Sequence, residues 1–326
     1  MEPPRPRVDP RLPGHRLEPL AGGWSGETFL ATGPGDPGEH VVVRYFADGR
    51  HAPDAARIQA ALLDRVHDLV PVPAVRQVHD VDDGLPGLLV TELLPGERGD
   101  LVLARLVSCT PGPDGADGDL RSLGRALGRV AGTLAATPLP RTGMFADAGL
   151  RIEPFDLRLP DWVDTHAPRL VQGGWSAGEV VGLRAVAVRA AADLHGAAPC
   201  LVHSDLNPKN VLVDPATLQV TGVLDWEFAH AGHPGTDLGN LLRFDREPAY
   251  VEGVLDGWFA GSDATPGGAD RDAGAPGRRR ATDLARAADL VALIELAARA
   301  EANPVVRQAR AHLRAIARTG DVNAVP

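Results

Sequence analysis

The sequence predicts a two-lobed α+β fold, with a small β-rich N-lobe at 17–95 and a larger, mainly helical C-lobe at 96–326. Short β-prone runs crowd the beginning of the chain. Long stretches with apolar residues at helical spacing fill most of the remainder. A compact β-prone stretch at 200–225 interrupts those helices and is dense in polar side chains.

Residues 1–16 are rich in Pro and Arg and are expected to be loosely ordered. The runs TFLA at 28–31 and VVVRYF at 41–46 read as strands, joined by the Gly/Pro/Asp turn TGPGDPGEH. A helix is expected at 54–67, where Ile58, Leu62, Leu63 and Val66 share one face and Pro71 and Pro73 end the pattern. LLV at 88–90 is a third strand, and LLPG at 93–96 closes the first lobe. Helices are then expected at 119–136, 177–195, 282–301 and 304–318. Residues 260–281 lack large apolar side chains and read as a flexible insertion.

Apolar residues make up 44% of the chain and charged residues 23%, which is the composition of a packed globular protein. A formal net charge of −10 argues against a nucleic-acid partner, which would need a basic surface to displace counterions. Cys109 and Cys200 form neither a disulfide framework nor a metal-binding CxxC pair. The opening MEPPRPRVDPRLPGHR has no apolar core of a secretion signal, and no run approaches the ~20 apolar residues needed to cross a bilayer. A cytoplasmic protein with no membrane association is expected, and no protein partner is inferred. Arginine supplies nearly all the basic residues, with Lys209 the single lysine.

The chemistry concentrates in residues 201–242, LVHSDLNPKNVLVDPATLQVTGVLDWEFAHAGHPGTDLGNLL. Apolar runs at 200–202, 211–213 and 220–224 read as strands, the last two joined by the turn residues DPAT. His203, Asp205, Asn207 and Asn210 therefore lie on the loop before one hairpin arm, and Asp225 lies just past the other. The hairpin brings Asn210 and Asp225 to the same end of paired strands. Their oxygens suit a hard cation such as Mg²⁺, and Asp205 is left to face a substrate hydroxyl. Phosphoryl transfer needs that division of labour.

The pattern H-x-D-L-x-P-x-N, followed by an apolar hairpin and L-D-W-E, resembles the core of the aminoglycoside phosphotransferase and choline-kinase-like family. The resemblance implies a protein-kinase-like fold. It puts the catalytic carboxylate at Asp205, metal ligands at Asn210 and Asp225, and a loop-supporting role at His203 and Asp237. It also implies a nucleotide-binding loop at Gly22, Gly23, Ser25 and Gly26, where glycines let backbone N–H groups approach phosphate oxygens. Arg44 stands where the family presents a lysine to the nucleotide, and a guanidinium can grip phosphate through two hydrogen bonds. The helical glutamate that pairs with that lysine has no clear counterpart. Gln59 falls near its place, and Asp54 is another candidate partner. The hinge at 91–96 would offer the purine its backbone, with Glu92 and Leu94 the candidate residues.

Acceptor-binding candidates are Glu227, Asp161 and Trp162, whose carboxylates and aromatic face suit an amine-bearing ligand. The expectation is an O-phosphotransferase using Mg²⁺ with ATP or GTP. It would act on a small hydroxylated acceptor, such as an antibiotic of the aminoglycoside, macrolide or cationic-peptide type in resistance. A metabolite kinase for choline, homoserine or a sugar is the alternative, as is a nucleotide-binding pseudokinase. A zinc hydrolase built on His203, Asp205, His230 and His233 is a further reading.

Overall fold

A computed structural model describes residues 9–20, 28–33, 40–46, 51–82, 84–108, 116–263, 274–301 and 303–326. The N-lobe is one antiparallel sheet of β1 (Arg16–Pro19), β2 (Thr28–Thr32), β3 (His40–Phe46), β4 (Val75–His79) and β5 (Gly87–Glu92). Its spatial order is β1-β2-β3-β5-β4. Strand alternation sorts the side chains of β3. Val43 and Tyr45 are buried with Leu12, Leu17, Phe29, Leu88 and Val90 on one face. Val42 and Arg44 open onto the cleft from the other. Helix α1 (Ala55–Val66) connects β3 to β4 and buries Gln59, Leu62, Leu63 and Val66.

The N-terminal stretch expected to be loose is packed over its described part. Leu12 is only 2% exposed, and Arg11 donates to the Pro86 carbonyl at 2.8 Å. β4 was not expected, because VRQVH places no regular apolar alternation on the pleat. The Gly-rich loop at Gly22, Gly23, Ser25 and Gly26 lies outside the described residues.

The C-lobe is built on helices α2 (Gly99–Ser108), α3 (Ala116–Ala135), α4 (Leu159–Gln172), α5 (Ala177–Leu194), α6 (Thr236–Leu241), α7 (Pro248–Asp263), α8 (Ala275–Ala298) and α9 (Pro304–Thr319). Of the insertion read at 260–281, residues 260–263 belong to α7 and 275–281 to α8, and 264–273 lie outside the described residues. Two small sheets join these helices. One contains β6 (Glu97–Arg98), β10 (Val211–Val213) and β11 (Val220–Val223) in the order β11-β10-β6. The other contains β7 (Gly143–Phe145), β8 (Ile152–Glu153), β9 (Cys200–Val202) and β12 (His230–Gly232) in the order β8-β7-β12-β9.

The largest core runs from α1 through α3, α7 and the β10–β11 hairpin and takes in Leu127, Trp226 and Tyr250. A second core joins α4, α5, α8 and α9 around Leu170, Leu183, Leu290 and Leu313. Helices α3 and α7 meet almost backbone to backbone. Gly124, Gly128 and Gly132 face Tyr250, Val254 and Trp258, while Gly253, Gly257 and Gly261 face Arg121, Arg125 and Arg129. Four-residue glycine spacing on both helices is what lets them approach this closely.

The lobes join at Gly96, whose φ of +126° favours glycine and where a Cβ would sit 2.4 Å from Thr221 Oγ1. That hydroxyl donates to the Pro95 carbonyl at 2.6 Å, tying the joint to β11.

Candidate active site

The candidate site is organised by the loop between β9 and β10. After Val202 the chain turns through Ser204, at a left-handed φ of 69°, and presents Asp205 toward the cleft. A single helical turn, Pro208–Asn210, comes next, capped by Asn207 Oδ1, which accepts from the Lys209 amide at 3.2 Å. The hairpin register pairs Val211 with Val223. The Leu224 amide donates to the Asn210 carbonyl at 2.8 Å, so the two arms stay together up to Asp225. Asp225 itself adopts a left-handed conformation, φ 64° and ψ 63°.

Three side chains hold the loop from beneath. Asp237, in the first turn of α6 and 2% exposed, accepts from the His203 and Ser204 amides at 2.9 and 2.8 Å. Burial pushes its carboxyl up in pKa, and the two amides work against that shift. The His203 ring accepts from the Asp205 amide at Nδ1, 3.3 Å away, so the hydrogen sits on Nε2 and is donated to the Leu224 carbonyl at 2.8 Å. Its edge rests against the buried Trp226 ring, with centroids 4.7 Å apart.

Asn240 supplies a support that the sequence did not single out. Its Oδ1 accepts from the Leu206 amide at 3.0 Å, and its Nδ2 donates to Asp289 at 3.0 Å. Asp289 also takes the buried Arg243 guanidinium at 2.6 Å. The loop is thus anchored through α6 to α8. Asn240 lies one helical turn beyond Asp237, a pattern that could have revealed it; nothing local marks Asp289.

The Asp205 carboxylate is oriented by two amides. Asn207 Nδ2 donates to Oδ1 at 2.7 Å and Asn210 Nδ2 donates to Oδ2 at 2.8 Å, with Lys209 Nζ 3.5 Å away. The amino end of Asn210 faces Asp205, which leaves its amide oxygen as the group able to face a cation. That oxygen and the Asp225 carboxylate are hard donors, a set that fits Mg²⁺ completed by phosphate oxygens and water. Among the described residues, no group of three or more His, Cys, Asp or Glu side chains is arranged to hold a metal. His203, named in the zinc reading, has both ring nitrogens engaged, Nδ1 with the Asp205 amide and Nε2 with the Leu224 carbonyl.

Arg44 reaches this site from β3. One amino group binds Asp225 Oδ1 at 2.6 Å and the other binds Glu227. Among the described residues, these two acids rather than Gln59 or Asp54 are the ones seen on the amino groups. Burial, followed by the nearby Asp225 charge, pushes the Glu227 carboxyl up in pKa, and Arg44 opposes this.

The cleft between the lobes encloses about 2400 Å³. Glu92 and Leu94 line its hinge side, as do Asp161 and Trp162 the helical side. Glu92 uses its amide on the Ala74 carbonyl at 3.0 Å and carries Arg76 at 3.4 Å. Trp162 is committed to packing as well, since its Nε1 donates to the Val291 carbonyl at 3.0 Å and its ring lies 4.4 Å from that of His166. Asp161 pairs with Arg158 at 3.5 Å on the helix surface. Asp245, which no sequence motif marks, also lines the cleft.

Burial, with the Asp100 charge adding to it, pushes the Asp245 carboxyl up to about 6. The folded protein therefore binds this proton more tightly than the unfolded chain. The associated stabilisation is full below the ordinary carboxylate pKa and is lost as pH rises through about 6. Asp245→Asn is expected to raise the melting temperature at pH 7.5 and to leave it unchanged near pH 4. A thermal unfolding series across that range checks it.

The model of a phosphotransferase enzyme family, APH, matches residues 16–276. A 45-residue segment is 47% identical to acyl-CoA dehydrogenase family member 11 of Mus musculus, covering 14% of this chain and 6% of that protein. Among solved structures, a thermostable mutant of aminoglycoside phosphotransferase APH(4)-Ia, in ternary complex with AMP-PNP and hygromycin B, superposes with a TM-score of 0.60. It is 19% identical and covers 93% of each chain. Macrolide 2'-phosphotransferase MphH of Brachybacterium faecium gives a TM-score of 0.52 at 23% identity, over 91% of this chain and 90% of that one. At these identities the structural likeness is one of fold.

Proposed function

The chain belongs to the phosphotransferase enzyme family, and from that premise we propose that it moves the γ-phosphoryl group of Mg-ATP or Mg-GTP to a hydroxyl of a small molecule. The observation that carries the reading is the Asp205 carboxylate, held by the amides of Asn207 and Asn210 at the floor of the cleft.

In this reading Asp205 orients the acceptor hydroxyl and takes its proton as the new O–P bond forms and the bond to the β-phosphate oxygen breaks. Transfer is direct, so the nucleoside diphosphate leaves without a phosphoenzyme. Asn210 and Asp225 would hold Mg²⁺, which neutralises phosphate oxygens when bound. Arg44 binds the phosphates from the N-lobe side. Glu92 and Leu94 border the purine, with Gly22, Gly23, Ser25 and Gly26 covering the phosphates. His203 and Asp237 keep the loop in shape, and Asp161 and Trp162 border the acceptor. The intact set Asp205, Asn210 and Asp225 favours an enzyme over a pseudokinase.

The acceptor we assign is a hydroxylated antibiotic of the aminoglycoside or macrolide type, encountered in the cytoplasm. One solved structure of this fold carries hygromycin B and another is a macrolide 2'-phosphotransferase. Carboxylates at Asp100 and Asp245 along the cleft suit cationic acceptors. Among the described residues, no helix is long and apolar enough to cross a membrane.

Mass spectrometry of hydroxylated antibiotics and of choline, homoserine and sugars, incubated with Mg-ATP or Mg-GTP, tests the proposal. A gain of one phosphoryl group, absent with Asp205→Ala, is expected on an antibiotic. A gain on a metabolite alone would overturn the acceptor assignment, and failure to bind either nucleotide would overturn the phosphotransferase reading.

A further inference from the structure

A guanidinium that grips phosphates needs an anchor on its far side, because a long flexible side chain otherwise loses rotamer entropy each time it binds. The sequence leads one to look for that anchor on α1. The α1 positions that line the cleft are Gln59, 7% exposed and uncharged, and the apolar Leu63. The structure supplies acids from the opposite lobe instead. Arg44 divides its two amino groups between Asp225, at 2.6 Å, and Glu227.

These two carboxylates differ in what else they must do. Asp225 is the candidate metal ligand, and an oxygen given to a cation is withdrawn from a guanidinium. Glu227, an acceptor candidate by sequence, takes the other amino group from two residues further along. We infer that Glu227 is the positioning residue that holds Arg44 against the nucleotide phosphates, replacing an acid on helix α1. The inference rests on the phosphotransferase reading above.

The local structure fits this task. Glu227 sits on the helical turn Trp226–Phe228, fixed at its base by the 2% exposed Trp226, whose Nε1 donates to the Val223 carbonyl at 3.1 Å. The left-handed backbone at Asp225 turns the chain so that residues two apart reach one guanidinium. The Arg44 and Glu227 side chains are 14% and 24% exposed, and the Arg44 guanidinium lies 5.5 Å from the centre of the Phe46 ring. Partial shielding strengthens the pair beyond a surface ion pair.

An acid on α1 would fix Arg44 within its own lobe. Glu227 reaches it from across the cleft.

A double-mutant cycle read by calorimetry tests the assignment, with AMP-PNP plus Mg²⁺ as one probe and adenosine, which has no phosphates, as the other. Glu227→Gln is nearly isosteric, and it is expected to weaken AMP-PNP by about tenfold while leaving adenosine unchanged. In an Arg44→Ala background the same change is expected to have no further effect. An equal loss in both backgrounds, a parallel loss of adenosine, or unchanged AMP-PNP binding would each overturn the role of Glu227. If the wild-type protein binds neither probe, the phosphotransferase reading falls and takes this assignment with it.

Discussion

Asp205→Ala is expected to lower phosphoryl transfer by roughly 10²–10⁴-fold, the usual contribution of a positioned general base, while Mg-AMP-PNP affinity stays within a few-fold of wild type. Among the described residues, the carboxylate touches no other site carboxylate or cation apart from Lys209 at 3.5 Å, so its removal leaves the Arg44 cluster in place. The loop should also survive, because its backbone is held by Asp237 and Asn240 rather than by the Asp205 side chain. Asn207 and Asn210 lose an acceptor, but Nδ2 of each still donates to the Asp205 carbonyl, at 3.2 and 2.9 Å. Asp225→Ala should behave differently and weaken Mg-nucleotide binding itself. Parallel calorimetry and single-turnover transfer separate the two patterns. Wild-type turnover in Asp205→Ala would remove Asp205 from the chemistry.

Gly128→Ala is expected to destabilise the fold by roughly 1–3 kcal/mol, the usual range for overpacking a tight contact. The added Cβ would fall 2.0 Å from the Val254 carbonyl oxygen, a backbone atom that cannot swing aside. Helices α3 and α7 would have to separate along their whole contact, since Gly124, Gly132, Gly253 and Gly257 meet backbone in the same way. Helix propensity works in the opposite direction by about 1 kcal/mol and is outweighed. Gly118→Ala, in the same helix with nothing within 4 Å, isolates that propensity gain and should be neutral or stabilising. Urea unfolding of the two variants beside wild type checks the pair. A Gly128→Ala midpoint at or above the wild-type value would show that the close approach is not required.

The α3–α7 contact was present in the sequence as glycines at four-residue spacing on both segments. It passed unread because the apolar face at Leu120, Leu123, Leu127, Val130 and Leu134 already accounted for the helix. Helix α4 was missed for a related reason. Pro160 and Pro168 break the expected pattern, although a proline in the first turn is tolerated because its missing N–H has no partner there. Trp162 shows what tertiary packing adds: its ring lines the cleft as the sequence suggested, while its Nε1 donates to Val291 of α8, a partner 129 residues away.

By itself, the sequence determined the local elements around the candidate site, though not β4 or α4, and the polar set they carry. Asp205, Asn210 and Asp225 lie within one strand–loop–hairpin unit, so short-range turn chemistry and strand pairing were enough to bring them together. The tertiary structure alone decided which acids hold Arg44 and what supports the loop from below. Arg44 is 181 residues from Asp225 and 183 from Glu227, and Asn240 is 49 from Asp289. Such pairs leave no periodicity or spacing in the chain. They exist because the closing of two lobes and the packing of α6 on α8 bring charged groups to one place, where burial makes pairing obligatory.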